Sequence, residues 1–111
     1  REQPAPVAKM RERGVVMALA TDFNPGSSPI LSIPLIMAIA CTQMRLTPAE
    51  ALVAATLNSG WALGRQGEVG SLAPGKRADF LILDGDDYRL VPYHAGRNPV
   101  HAVYRDGRCL A

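Results

Sequence analysis

Cysteine is scarce in this chain. Cys41 and Cys109 are the only two, and they stand far apart in 111 residues. Such a pair makes neither a disulfide framework nor a zinc motif, so a reducing, cytoplasmic compartment is expected. Aromatic residues are few as well: two Phe, three Tyr and one Trp. That leaves little to stack on nucleic-acid bases. Charge of one sign is also lacking, with a net charge of only +2. Lys9, Arg11 and Arg13 cluster near the start, but this fits a solvated helix face rather than a nucleic-acid patch. We therefore expect no nucleic-acid partner. No apolar run reaches ~18 residues without interruption, so no membrane-spanning helix is expected. The richest run, "ILSIPLIMAIACTQM", is broken by Ser32 and Pro34. The opening "REQPAPVAKMRERG" has no signal-peptide core and no initiator Met. It reads as a fragment of something longer.

What remains has an ordinary globular balance, 48% hydrophobic and 20% charged. Residues 4–13 read as the end of a helix stopped by Gly14. Val15 to Thr21 is a short apolar run bounded by turn signals, the pattern of a strand buried on both faces of a parallel sheet. Ser32 can cap a helix from about Ile33, with Pro34 in its first turn and an apolar face of Leu35, Ile36, Ile39 and Ala40. Cys41 falls on that helix as a small core residue. "TPAEALVAATLNSGWALG" opens with a capping box, Thr47 to Glu50, and Pro48 at the first helical position. Asn58-Ser59-Gly60 predicts a kink and Gly64 a C-cap. Beyond Gly67 the pattern changes to turns and short strands. Phe80–Leu83 reads as a buried strand, Val100–Tyr104 as another, and Asp106-Gly107 as a hairpin turn into Arg108-Cys109-Leu110. The expected order is strand–helix–helix, then β-hairpins.

The stretch "ATDFNPGSSP", Ala20 to Pro29, holds the chemistry. In parallel α/β folds functional groups gather at the carboxyl ends of strands, and Asp22 lies just past such an end. Gly26 allows close backbone approach, Ser27 and Ser28 add hydroxyls, and the following helix start offers N–H groups. A carboxylate there could hold a metal ion and accept a proton from its bound water. Asp is equally a good turn and cap residue, so the residues alone leave both readings open. No Gly-x-x-x-x-Gly-Lys follows, so a phosphate loop is the weaker variant.

"ALATDFNPGSSP", "RLTPAEALVAATLNSGWALG" and "GSLAPGKRADFLILD" together resemble the carboxyl-terminal quarter of the metal-dependent amidohydrolase superfamily. The "TDFNPGSSP" loop and the late "YRLVPYHAGRNPVHAVYRDGR" are similar within it to the imidazolonepropionase family. The resemblance implies the last strand and following helices of a (β/α)8 TIM barrel over residues 1–66. It implies part of a small β-sandwich over 67–111. It implies hydrolysis of the ring C–N bond of 4-imidazolone-5-propanoate to N-formimidoyl-L-glutamate, with a Zn or Fe ion as cofactor. Asp22 matches the acidic metal ligand after the eighth barrel strand and serves proton transfer. Asn24 and Gly26 match positions that contact the ring-opened product, and Ser27 a position that contacts the substrate. The remaining metal ligands and the basic substrate clamp would lie upstream. His94 and His101 do not replace them and read as structural or surface residues. A homodimer of the full-length enzyme is compatible with this reading. Two rivals stay in view: another deaminase or cyclic amidase of the superfamily, and a stand-alone non-catalytic module.

Overall fold

The structure, a computed structural model, describes residues 3–111. Arg1 and Glu2, which open the expected 1–66 unit, lie outside the described residues. The order is α1 (Val7–Glu12), α2 (Ile33–Met44), α3 (Pro48–Ala55), α4 (Leu57–Ala62), β1 (Phe80–Leu83), α5 (Leu90–Tyr93), β2 (Val100–Arg105) and β3 (Arg108–Cys109). The architecture is a mixed α/β fold with helices first and an antiparallel sheet last.

The helix boundaries follow local chemistry. Gly14 stops α1 in the left-handed region at φ 64°. The Val15 N–H then reaches the Met10 carbonyl at 2.9 Å and the Gly14 N–H the Arg11 carbonyl at 3.0 Å. Those two bonds are a Schellman cap, which satisfies carbonyls the helix end would otherwise orphan. The same pair of bonds closes α4 around Gly64. The Ser32 hydroxyl accepts from the Leu35 N–H at 3.3 Å, with Pro34 in the first turn of α2. At α3 the Thr47 hydroxyl accepts from the Glu50 N–H, and Glu50 accepts from the Thr47 N–H at 2.8 Å. Glu50 also takes a two-pronged grip from the Arg11 guanidinium, at 2.8 and 2.9 Å. The Arg11 hydrogen bond and then the Thr47 N–H hold the Glu50 carboxyl down at about 2.

The core joins Val7, Met37, Ala40, Leu46, Ala51 and Val91. Burying a side chain the size of Met37 or Val91 contributes about 1.5–3 kcal/mol. The inward face of α2 is only partly the one expected, Ala40 being the one expected residue that is fully buried. Met37, Ala38 and Ala40 are buried, whereas Leu35, Ile36 and Ile39 are only half-buried. α2 is apolar nearly all round, so its sequence does not single out a face; packing against α3 and α5 does. The sequence reading missed α5, a single turn whose Val91 and Pro92 are buried.

Three further expectations are corrected. The break between α3 and α4 falls at Thr56 (φ −122°, ψ −86°), two residues before Asn58. β1 is not buried along its length, since Leu81 is 54% exposed. Val15 to Thr21 is not a ladder strand but an extended segment, alternating half-buried Met17 and Leu19 with exposed Val16 and Ala18. Beyond the Val15 cap bond, one backbone bond ties it down, from the Leu19 N–H to the Ala54 carbonyl at 3.0 Å. A strand exists only through paired neighbours. Among the described residues no hydrogen bond reaches the backbone of Val16, Ala18 or Ala20.

The sheet has the order β1-β2-β3, antiparallel throughout. Phe80 pairs with Tyr104, and their rings stack at 4.5 Å. Asp106 (φ 49°) and Gly107 (φ 76°) both adopt positive φ, as the turn between β2 and β3 requires. Asp106 also accepts a two-pronged bond from Arg77, at 3.1 and 2.9 Å. Beyond residue 67 the chain thus carries one antiparallel sheet in which only β2–β3 is a tight hairpin, because α5 is inserted between β1 and β2.

Candidate functional site

The loop from Thr21 to Ser28 is closed at its base. The Ser28 hydroxyl donates to the Thr21 carbonyl at 2.7 Å, and the Asn24 N–H donates to the Ser28 carbonyl at 3.0 Å. Asn24 organises the interior. Its Oδ1 accepts from the N–H groups of Gly26 (2.9 Å) and Ser27 (2.8 Å). Its Nδ2 donates to the Asp22 carbonyl at 2.7 Å and lies 3.1 Å from the Ser27 hydroxyl. Asn is suited to this because one amide both donates and accepts. The structure therefore brings Asp22, Asn24, Gly26 and Ser27 into a single hydrogen-bonded turn. The N–H groups of Gly26 and Ser27 are thereby turned toward Asn24.

Asp22 sits at the loop's shoulder with φ 48°. A non-glycine residue there carries about 1 kcal/mol of strain, which Asp tolerates better than most. Its side chain is exposed, and no Lys or Arg among the described residues pairs with it. Gly26 does not need a positive φ; a Cβ there would lie 3.3 Å from Asn24 Oδ1. Compactness of the turn, rather than backbone handedness, favours glycine at that position.

As a metal site the loop offers one carboxylate. Among the described residues no three His, Cys, Asp or Glu side chains gather closely enough to hold an ion. Asp22 fits the role of one ligand, a hard oxygen donor with no competing cation. His94 caps α5, exposed and edge-on to Tyr93 at 5.1 Å, and His101 is an exposed residue of β2. Cys41 is half-buried on α2, and burial pushes its thiol up; Cys109 is exposed and free.

Two residues read only as a kink prove to hold the segment that carries Asp22. Asn58 Nδ2 donates to the Met17 carbonyl at 2.8 Å. Ser59 Oγ lies 3.0 Å from the Leu19 carbonyl and 2.7 Å from that of Ala54. Their partners are about 40 positions away in the chain, so no local pattern could reveal them.

A family model described as "Amidohydrolase family" matches residues 1–111. An imidazolonepropionase of Solibacter usitatus is 54% identical over 101 residues, covering 91% of this chain and 24% of the relative. That of Chloroflexus aggregans is 52% identical, with 91% and 24% covered. That of Geobacillus thermodenitrificans is 48% identical over 108 residues, with 97% and 26% covered. The chain thus spans about a quarter of the length of the curated relatives it matches. Among solved structures, E. coli guanine deaminase superposes with a TM-score of 0.73 at 22% identity, over 95% of this chain and 29% of that one. An amidohydrolase from Thermotoga maritima gives 0.70 at 29% identity, over 95% and 25%. With a family model matched along its whole length and an amidohydrolase-like fold, the chain belongs to the amidohydrolase family.

Proposed function

We propose that this chain is the carboxyl-terminal part of an imidazolonepropionase. The complete enzyme would hydrolyse the ring C–N bond of 4-imidazolone-5-propanoate, giving N-formimidoyl-L-glutamate. The observation that carries this is the 54% identity over 101 of 111 residues. A match of that length takes in the Ala20–Pro29 loop wherever it begins. In this reading residues 1–66 complete a (β/α)8 barrel and 67–111 supply part of its β-sandwich. The unpaired backbone of Val16, Ala18 and Ala20 supports it, because that edge is suited to a neighbouring barrel strand. Two free cysteines fit a cytoplasmic enzyme, and no described helix is long and apolar enough to cross a membrane. The full-length enzyme would act on a small molecule, as a homodimer.

A bound zinc or iron ion supplies Lewis acidity and an activated water at neutral pH. Asp22 would be one of the residues that hold it, with the other ligands elsewhere in the full-length chain. The Asp22 carboxylate would accept a proton from the attacking water and return it to the leaving ring nitrogen. Asn24 and Gly26 would contact the opened product and Ser27 the substrate. Asn24 can do so by exchanging one of its bonds inside the loop. Asp22→Asn in the full-length protein tests the assignment, since it keeps size and turn-forming ability but loses charge and basicity. Turnover should fall by at least ~100-fold with the melting temperature held. A folded variant with near wild-type turnover would sink the reading.

A further inference from the structure

We propose that Asn58 and Ser59 are positioning residues for the Asp22 carboxylate, acting through the backbone that carries it. This rests on the reading of Asp22 as a metal ligand. The segment from Val15 to Thr21 has one anchored edge. On that edge the Met17 carbonyl takes a bond from Asn58 Nδ2 at 2.8 Å, and the Leu19 carbonyl lies 3.0 Å from Ser59 Oγ. The Leu19 N–H meets the Ala54 carbonyl at 3.0 Å. Residues two apart on an extended chain face the same edge. The Asn58 amide, the Ala54 carbonyl and the one Ser59 hydroxyl proton, shared between the carbonyls of Leu19 and Ala54, therefore do there what a neighbouring strand would do. They can because the helix breaks at Thr56, which leaves the Ala54 carbonyl open and sets Asn58 and Ser59 at the start of α4. Ser59 Oγ, 2.7 Å from that same carbonyl, ties the break to the segment. Leu19 is three residues before Asp22, so slack at Leu19 is passed to the carboxylate with little chain to absorb it.

Groups that orient a metal ligand typically influence affinity by about 10- to 100-fold when lost. The test is zinc affinity of the full-length protein, measured by chelator competition alongside melting temperature and kcat. Asn58→Asp keeps the shape but replaces the donor with an acceptor. Ser59→Ala removes the hydroxyl, and Ser59→Thr restores it. Asp22→Asn and the core variant Val91→Ala serve as references. The expected result is weaker zinc binding, by about tenfold or more, in Asn58→Asp and Ser59→Ala, with recovery in Ser59→Thr. Val91→Ala should lower the melting temperature while leaving zinc affinity unchanged. Loss of affinity in Asp22→Asn, with wild-type affinity in both Asn58→Asp and Ser59→Ala, overturns the positioning role alone. Loss in Val91→Ala equal to theirs also overturns it, because general loosening then suffices. Wild-type affinity in Asp22→Asn overturns the ligand reading and this inference with it.

Discussion

Asn24 Oδ1 accepts the Ser27 N–H at 2.8 Å, and the Ser27 hydroxyl lies 3.3 Å from the same oxygen. Ser27 is thus held by its backbone more than by its hydroxyl, which ranks the loop's residues. Ser27→Ala keeps the backbone bond and should have a moderate effect, about 1–2 kcal/mol in kcat/KM of the full-length enzyme. Gly26→Val should do more, because its Cβ would crowd Asn24 Oδ1 at 3.3 Å. Asn24→Ala removes the acceptor of both amides and the donor to Asp22, and should be worst. Steady-state kinetics on the three variants check the order. A silent Gly26→Val would contradict it.

Glu50 gives a pH prediction. Its carboxyl is held down from 4.5 to about 2 by Arg11 and then Thr47. A depressed folded pKa contributes stability that is present above the unfolded value. It is lost as pH falls through the folded value. Glu50→Gln retains the capping acceptor but loses the charge. The variant should therefore melt lower than wild type at pH 7, by an exposed ion pair's worth of under about 1 kcal/mol. The difference should shrink between pH 4.5 and 2. Melting curves at pH 7 and pH 3 measure it. A gap that widens on acidification would refute the linkage.

Gly70 locks the turn after Val69 against the helix break. Its φ is 91°, and a Cβ there would meet the Thr56 carbonyl oxygen at 3.0 Å and Leu57 Cα at 3.2 Å. Gly75 has a similar φ of 86° with nothing within 4 Å. Gly75→Ala should cost about 1 kcal/mol from backbone strain alone. Gly70→Ala adds a clash with backbone and should cost about 2–3 kcal/mol. Denaturant titration of both variants isolates the close approach. Equal losses would show that it is not tight.

The 111-residue chain by itself should neither bind zinc tightly through Asp22 nor hydrolyse 4-imidazolone-5-propanoate. A zinc site needs three or four ligands, and Asp22 is a single donor. Isothermal titration with zinc and a turnover assay on the purified chain test both parts. Measurable turnover would contradict the prediction.

Local chemistry was legible in the sequence alone. Gly14, the Ser32 cap, the Thr47–Glu50 capping box, Gly64 and the Asp106-Gly107 turn all appear where their residue types predicted. Each is decided by atoms within about six residues of one another, so sequence order contains its whole cause. The loop around Asp22 was legible as a turn, though not the capture of its amides by Asn24. Tertiary structure decided the rest. It chose which side of an evenly apolar α2 faces inward, and it turned Val91 into a core residue on a helix of one turn. It left Val15–Thr21 extended without a ladder, gave Asn58 to the Met17 carbonyl, and set the Ser59 hydroxyl between the carbonyls of Leu19 and Ala54. Those outcomes depend on what lies opposite in space, and a backbone carbonyl has no residue-type signature by which a distant donor could be matched to it.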